Sequence, residues 1–318
     1  MEKIKLKLKQ CGGNMSSFKS IATHQTVSDE DFRKIMSVPA AEIDTHSDVK
    51  VEIVKNTHTL YNKMARSMAG LITKNNMEGK LTKMIIPVGP TPQYPILADI
   101  CNKGKISLKG VWIFFMDEYL DWESRVVPKS HPMSFAGYMD KNLFGLLDSS
   151  LGLNTEQVVW PNPYDLDYND SKIEELGGID VCYGGIGYHG HVAFNEPYDT
   201  YYRRMTIEKF LNSKTRVIEL NSDTFVINSL CGIGGNCYGL PPKAVTIGMK
   251  SIMGAKRIEL YCDGGDLNWQ LATFRIACMH PPTLDRPVTL LQLHENPKET
   301  IFFIADELTA SPIKVGPK

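Results

Sequence analysis

The stretch Gly184-Gly185-Ile186-Gly187-Tyr188-His189-Gly190-His191-Val192-Ala193-Phe194-Asn195-Glu196-Pro197 follows directly on Ile179-Asp180-Val181-Cys182-Tyr183. The shorter run reads as a buried strand. The glycines after it let the backbone turn sharply and come close to a ligand, because no Cβ stands in the way. Two histidines and a glutamate then fall within eight positions. In open α/β sheets, ligands bind beyond the carboxyl ends of the strands, where such a loaded glycine turn would stand.

Outward from this stretch the same pattern repeats. Val51 to Val54, Met84-Ile85-Ile86-Pro87-Val88, Val111 to Phe115, Val217 to Leu220, Val245 to Ile247, Ile258 to Tyr261 and Ile301 to Ala305 read as further strands. Thr57 to Thr73 carries Leu60, Met64, Met68 and Leu71 at helical spacing. Tyr94 to Asn102 is a second helix, and Pro132 to Leu147 begins as a loop and becomes a third. Strands alternating with helices predict an α/β chain with a doubly wound, mostly parallel sheet flanked by helices. That domain spans residues 49–318. Residues 1–48 read as an N-terminal extension, an arm packed on the domain or on another subunit. Within the arm, Ser28-Asp29-Glu30-Asp31 marks a helix start leading into Phe32 to Met36.

Composition excludes several function classes. The 318 residues are 42% hydrophobic, which supports a sizeable core and excludes a disordered chain. A net charge of -1 gives no reason to expect a nucleic-acid partner. No apolar run is long enough to cross a bilayer, and Met1 to Gln10 lacks the features of a signal peptide, so a cytoplasmic protein is expected. The seven cysteines show no CxxC pair. They read as reduced thiols used as small core residues, with a disulfide between Cys231 and Cys237 as the alternative.

Four places can carry chemistry. His191 titrates near neutrality when unperturbed and can act as a general acid/base, with Glu196 close enough to orient it. The alternative is a polar loop with satisfied histidines. His189 and His191 at i and i+2 offer two metal ligands. No third stands at recognisable spacing, so no metal and no cofactor are expected. Asp117 and Glu118 close an apolar strand, a place suited to proton transfer and equally to a solvated turn or a helix cap. Gly89-Pro90-Thr91-Pro92 joins a strand to a helix, where backbone N–H groups and the helix dipole can hold an anion. Lys243 stands just before a strand, as a ligand contact or a surface charge.

Taken together and in order, these motifs resemble the glucosamine-6-phosphate deaminase (isomerase) family, whose relatives include the 6-phosphogluconolactonases. The matching stretches are Pro87 to Pro92, Met116-Asp117-Glu118-Tyr119, Ser130 to Ser134, Gly185 to Pro197, Ser213 to Val217, Pro242 to Gly248 and Leu291 to His294. Phe194-Asn195-Glu196-Pro197 after Gly190-His191 is the most specific and favours the deaminase branch. The resemblance implies a Rossmann-like sheet, a metal-free aldose–ketose reaction on a sugar or sugar phosphate, and a homo-oligomer. It implies that Asp117 moves the proton between C1 and C2, that His191 assists ring opening and that Glu196 orients His191. Gly89, Thr91, Glu118, Gly187 and Lys243 are the expected substrate contacts.

The chain departs from the family's pattern in several places. His189 stands where an aspartate normally precedes the glycine–histidine pair, and a second histidine cannot supply a fixed negative charge. The phosphate turn has Val88 and Pro90 in place of a hydroxyl and an N–H donor. Leu230 falls where the family has a phosphate-binding arginine, with Arg203, Arg204, Arg216 and Lys243 as candidates to compensate. Insertions fall near Trp122 to Val127 and Tyr198 to Phe210. A sugar lactonase using His191 to activate water, and a sugar-binding protein of the same fold without turnover, are the competing readings.

Overall fold

The ten strands of the computed structural model, which describes residues 27–196, 205–265 and 270–309, divide into two sheets. They are β1 (Lys50–Val54), β2 (Thr82–Ile86), β3 (Val111–Phe115), β4 (Asp117–Leu120), β5 (Val158–Val159), β6 (Val181–Gly184), β7 (Arg216–Glu219), β8 (Lys243–Thr246), β9 (Arg257–Cys262) and β10 (Thr300–Ala305). The large sheet has the order β1-β10-β9-β6-β2-β3-β5. Every pairing in it is parallel. β4, β8 and β7 form a small antiparallel sheet.

The apolar strands run nearly unbroken because both faces of the large sheet are covered. Ile85, Phe114, Cys182, Leu260 and Phe302 belong to one buried cluster. Met84, Ile86, Phe115, Tyr183 and Phe303 belong to the other. The helix Thr57–Met77 buries Leu60, Met64, Met68 and Ile72 against the second face. Each such side chain contributes about 1.5–3 kcal/mol on burial. The helix runs one turn past the expected Thr73 and ends before Gly79, whose φ is +65°. Leu71 packs only at the margin of that cluster.

Two strands were not legible. β5 is only two residues long. β4 begins with two carboxylates and reads locally as a turn, yet all four of its residues are buried. The described part of the extension packs on the chain's own helix Gln270–Met279, and Arg275 Nη1 donates to Val38 O at 2.7 Å. Ser28 caps the helix Asp29–Ser37, as its sequence suggests. Cys231 and Cys237 are exposed and not joined by a disulfide. Among the described residues no helix is long and apolar enough to cross a membrane.

The strand order places the candidate residues. From β2 the chain moves outward through β3 to β5; β6 then returns to the other side of β2 and the chain continues outward through β9 and β10. The switch point between β2 and β6 is where such sheets bind ligands. The turns after these two strands touch: a Cβ on Gly185 would stand 2.6 Å from Gly89 O. Gly185→Ala should therefore destabilise the protein by about 1–3 kcal/mol, as overpacking does. Gly89→Ala, with nothing within 4 Å of the new Cβ, should stay within about 0.5 kcal/mol of the parent. Urea titration of the two variants checks the contrast.

Candidate active site

Asp117 owes its position to a change of sheet. The Met116 N–H donates to Ile86 O of β2 at 3.1 Å, and Met116 O accepts from Ile247 N at 2.7 Å. The next residue, Asp117, is therefore the first of β4, opposite Thr246 of β8. Thr246 Oγ1 accepts from Phe194 N at 3.0 Å, which ties the loop after β6 to the small sheet. Asn195 Nδ2 reinforces the tie by donating to Ile247 O at 2.9 Å. Asp117, the Gly89 turn and the Gly187–Glu196 loop thus leave the carboxyl ends of three neighbouring strands, β3, β2 and β6.

Asp117 is 7% exposed. Burial and then the neighbouring Glu118 charge push its pKa from 3.8 to about 8, against the pull of the Phe194 N–H. Glu118 is 1% exposed and faces away from this loop. Its Oε2 accepts from Ala136 N at 2.8 Å and its Oε1 from Phe135 N at 3.0 Å, at the start of the helix Phe135–Asn142. Ser134 Oγ and Tyr119 N complete four donors. Glu118 is a helix-terminal acceptor, favoured there by the unpaired N–H groups.

The loop after β6 folds tightly. Gly190 N donates to Gly187 O at 2.8 Å and Gly187 N to His191 O at 2.9 Å. Gly190 has φ +80°, and Ala193 has φ +53°. A Cβ on Gly187 would lie 1.8 Å from His191 Nε2, so only glycine lets the imidazole lie there. His191 Nδ1 faces Glu196 Oε1 at 3.8 Å, too far for the expected hydrogen bond. Glu196 Oε2 accepts instead from Asn221 N at 2.7 Å. Burial, then His189, holds the His191 pKa down at about 3, so its imidazole is neutral. Burial likewise raises the Glu196 pKa.

His189 has a partner that the sequence did not reveal. Asp223, in the first turn of the helix Ser222–Gly232, contacts His189 Nε2 through its Oδ2. Burial lowers the His189 pKa and Asp223 opposes that shift. The Asn221-Ser222-Asp223 run signals a helix start, but nothing in its spacing connects it with His189.

The remaining candidates scatter. Gly89 is exposed and Thr91 half-buried, on the turn leading to the helix Gln93–Gly104. Pro90 is buried, its carbonyl taken by Gln93 Nε2 at 2.6 Å. Lys243 opens β8 opposite Leu120, three residues from Thr246, and donates to Ser124 Oγ at 3.2 Å; it is not brought beside Asp117. Leu230 is 57% exposed. Arg216 Nη1 reaches Lys214 O. Arg203 and Arg204 lie outside the described residues.

Fold and site together define a Rossmann-like α/β chain with a buried acid–base constellation at the switch point of its parallel sheet. No family model matches the chain. It is 30% identical to the glucosamine-6-phosphate deaminase of Caenorhabditis elegans over 276 residues, 84% of this chain and 93% of that protein. It is 32% identical to that of Fusobacterium nucleatum over 239 residues, 73% of this chain and 77% of that protein. The chain belongs to the glucosamine-6-phosphate deaminase family. Among solved structures, a monomeric glucosamine-6-phosphate deaminase matches with a TM-score of 0.66 at 22% identity, over 82% of this chain and 99% of that one. A 6-phosphogluconolactonase from Trypanosoma cruzi matches with a TM-score of 0.57 at 15% identity, over 82% and 95%. Both share the fold.

Glu118→Gln should lower thermal stability, because its amide NH₂ would confront the helix-terminal N–H groups and a buried unmet donor costs about 1–3 kcal/mol. KM for an accepted sugar should stay unchanged. A raised KM at parental stability would instead assign Glu118 to the substrate.

Proposed function

We propose that this chain is a deaminase/isomerase-type enzyme acting on an amino-sugar phosphate or a related sugar. The observation that carries the reading is Asp117: a buried carboxylate with a raised pKa, at the carboxyl end of β3, within a family of glucosamine-6-phosphate deaminases. Ring opening needs a proton taken from the anomeric hydroxyl and one given to the ring oxygen. The neutral imidazole of His191 suits that exchange. Asp117 then takes the proton from C2 and returns it to C1, converting the 2-amino aldehyde into a 2-imine. Water cleaves the imine to a ketone and ammonia. Glu196, anchored on Asn221 N, is the carboxylate that faces the ring.

A lactonase needs a base for water but no carboxylate shuttling a proton between carbons, so Asp117 favours the deaminase reading. As a base Asp117 must be ionised, and kcat/KM should rise with pH up to about 8. Its folded pKa lies above the unfolded one, so its contribution to stability is present below pH 3.8 and lost as pH rises through about 8. Asp117→Asn should cut turnover by roughly 10²–10⁴-fold. The same variant should melt higher than the parent, by a margin that widens from about pH 5 to about pH 9. Ammonia release and melting curves on the same preparations read both effects, and parental turnover in the Asn variant would remove Asp117 from the mechanism.

The substrate's phosphate should be held weakly. Val88 has no hydroxyl, Pro90 no N–H, and Leu230 no guanidinium. Leu230 lies seven residues, or two helical turns, beyond Asp223 and so on the same side of its helix. Leu230→Arg should tighten binding of glucosamine 6-phosphate by roughly tenfold to a hundredfold, the worth of a charge-assisted hydrogen bond. Binding of glucosamine itself should not change. Calorimetric titration with both sugars decides, and micromolar affinity of the parent for the phosphate alone would refute weak anion binding.

A further inference from the structure

His189, His191 and Glu196 bring one ring nitrogen each and one carboxylate oxygen to within 4.8 Å of one another. His189 Nδ1, His191 Nδ1 and Glu196 Oε1 are buried and make no formed hydrogen bond. Glu196 is 5% and His189 8% exposed, so bulk water does not serve them. Unmet buried polar atoms are costly, and native proteins hold few of them. Several converging on one point imply a partner that supplies no competing lone pairs.

We propose that this partner is a divalent transition metal of the zinc class, held by His189, His191 and Glu196. The distances favour a metal over a proton. A hydrogen bond between His191 Nδ1 and Glu196 Oε1 would need about 2.7–3.2 Å, whereas the atoms stand 3.8 Å apart. Ligands of a tetrahedral zinc, each about 2.0–2.2 Å from the ion, stand roughly 3.3–3.6 Å from one another. Small side-chain rotations close the remaining difference. Two imidazoles and one carboxylate form a donor set of zinc sites that keep a fourth position open, whereas calcium and magnesium take oxygen ligands.

A second observation is independent of the cluster. A metal-bound histidine usually hands its other ring N–H to a carboxylate, which fixes its tautomer. Asp223 Oδ2 is placed for that, against His189 Nε2, leaving Nδ1 for the ion. The backbone supplies the rest. The positive φ values at Gly190 and Ala193 and the bridge between Val192 and Asn195 turn the chain back, so that Glu196 returns to the histidines.

The metal site does not rest on the deaminase reading. If both hold, they exclude each other in time, because the ion occupies the His191 and Glu196 atoms that ring opening uses. The test uses the full chain, stripped by chelator, in a Cys231→Ser/Cys237→Ser background, since those exposed thiols also take zinc. Calorimetry with Zn²⁺ and visible absorption with Co²⁺ are the readouts. One equivalent is expected to bind, with four-coordinate Co²⁺ bands and no thiolate charge-transfer band. Affinity should fall by about 100-fold or more in His189→Ala and in Glu196→Gln, and by about 10–100-fold in Asp223→Asn, which keeps all three ligands. Circular dichroism shows which variants are folded, and Asp223→Asn decides if His189→Ala is not. No uptake of either ion by the background protein, or equal uptake by the folded variants, overturns the proposal. Metal uptake by a protein that, while still metal-free, deaminates no amino sugar leaves the site standing and sinks the catalytic reading instead.

Discussion

Met116 belongs to two sheets at once. Its N–H completes the parallel ladder at the end of β2 and its carbonyl receives Ile247 from beyond β8. A residue bonded on both sides cannot shift register without breaking both ladders. The position of Asp117 follows from that constraint. So does the course of the small sheet, whose Thr246 holds the Phe194 N–H and with it the loop after β6. Tyr119, Phe135 and Phe194 fill the space between, their rings 5.0–6.3 Å apart. The loop is thus positioned by a packed aromatic wedge and a backbone ladder, not by its own hydrogen bonds alone.

The site this scaffold holds is electrostatically costly. Two carboxylates of the small sheet and Glu196 are buried, and among the described residues none is paired with a lysine or arginine. Glu118 is compensated by four donors. Asp117 has only the flank of one N–H, and its proton is correspondingly hard to remove. Burial raises both pKa values, and the imbalance leaves Glu118 as a structural acceptor and Asp117 as the group pushed to about 8. Perturbed titration of this kind clusters at functional sites because chemistry needs it where stability does not.

The fixed negative charge expected before the glycine–histidine pair is supplied from elsewhere in the fold. His189 replaces an expected aspartate and brings no fixed charge of its own. The negative charge returns through Asp223, from the start of the helix Ser222–Gly232. The same helix donates Asn228 Nδ2 to Tyr119 OH at 3.0 Å. It therefore links the loop of the histidines with the strand of Asp117, and it carries the exposed Leu230.

The sequence by itself determined the strands of the large sheet except the two-residue β5, because apolar runs buried on both faces and helices with one apolar stripe are local patterns. It also determined the glycine turns and the family. Phe194-Asn195-Glu196-Pro197 and Met116-Asp117-Glu118-Tyr119 are contiguous, and contiguous chemistry is legible. Only the tertiary structure decided that β4 is a strand, since its Asp117-Glu118 start looks solvated until the helix Phe135–Asn142 and β8 cover it. Only the fold turned two histidines into a cluster with Glu196 and set Asp223 against His189. Burial and pairing of charged groups depend on which distant segments enclose them, and that is a property of the packed chain.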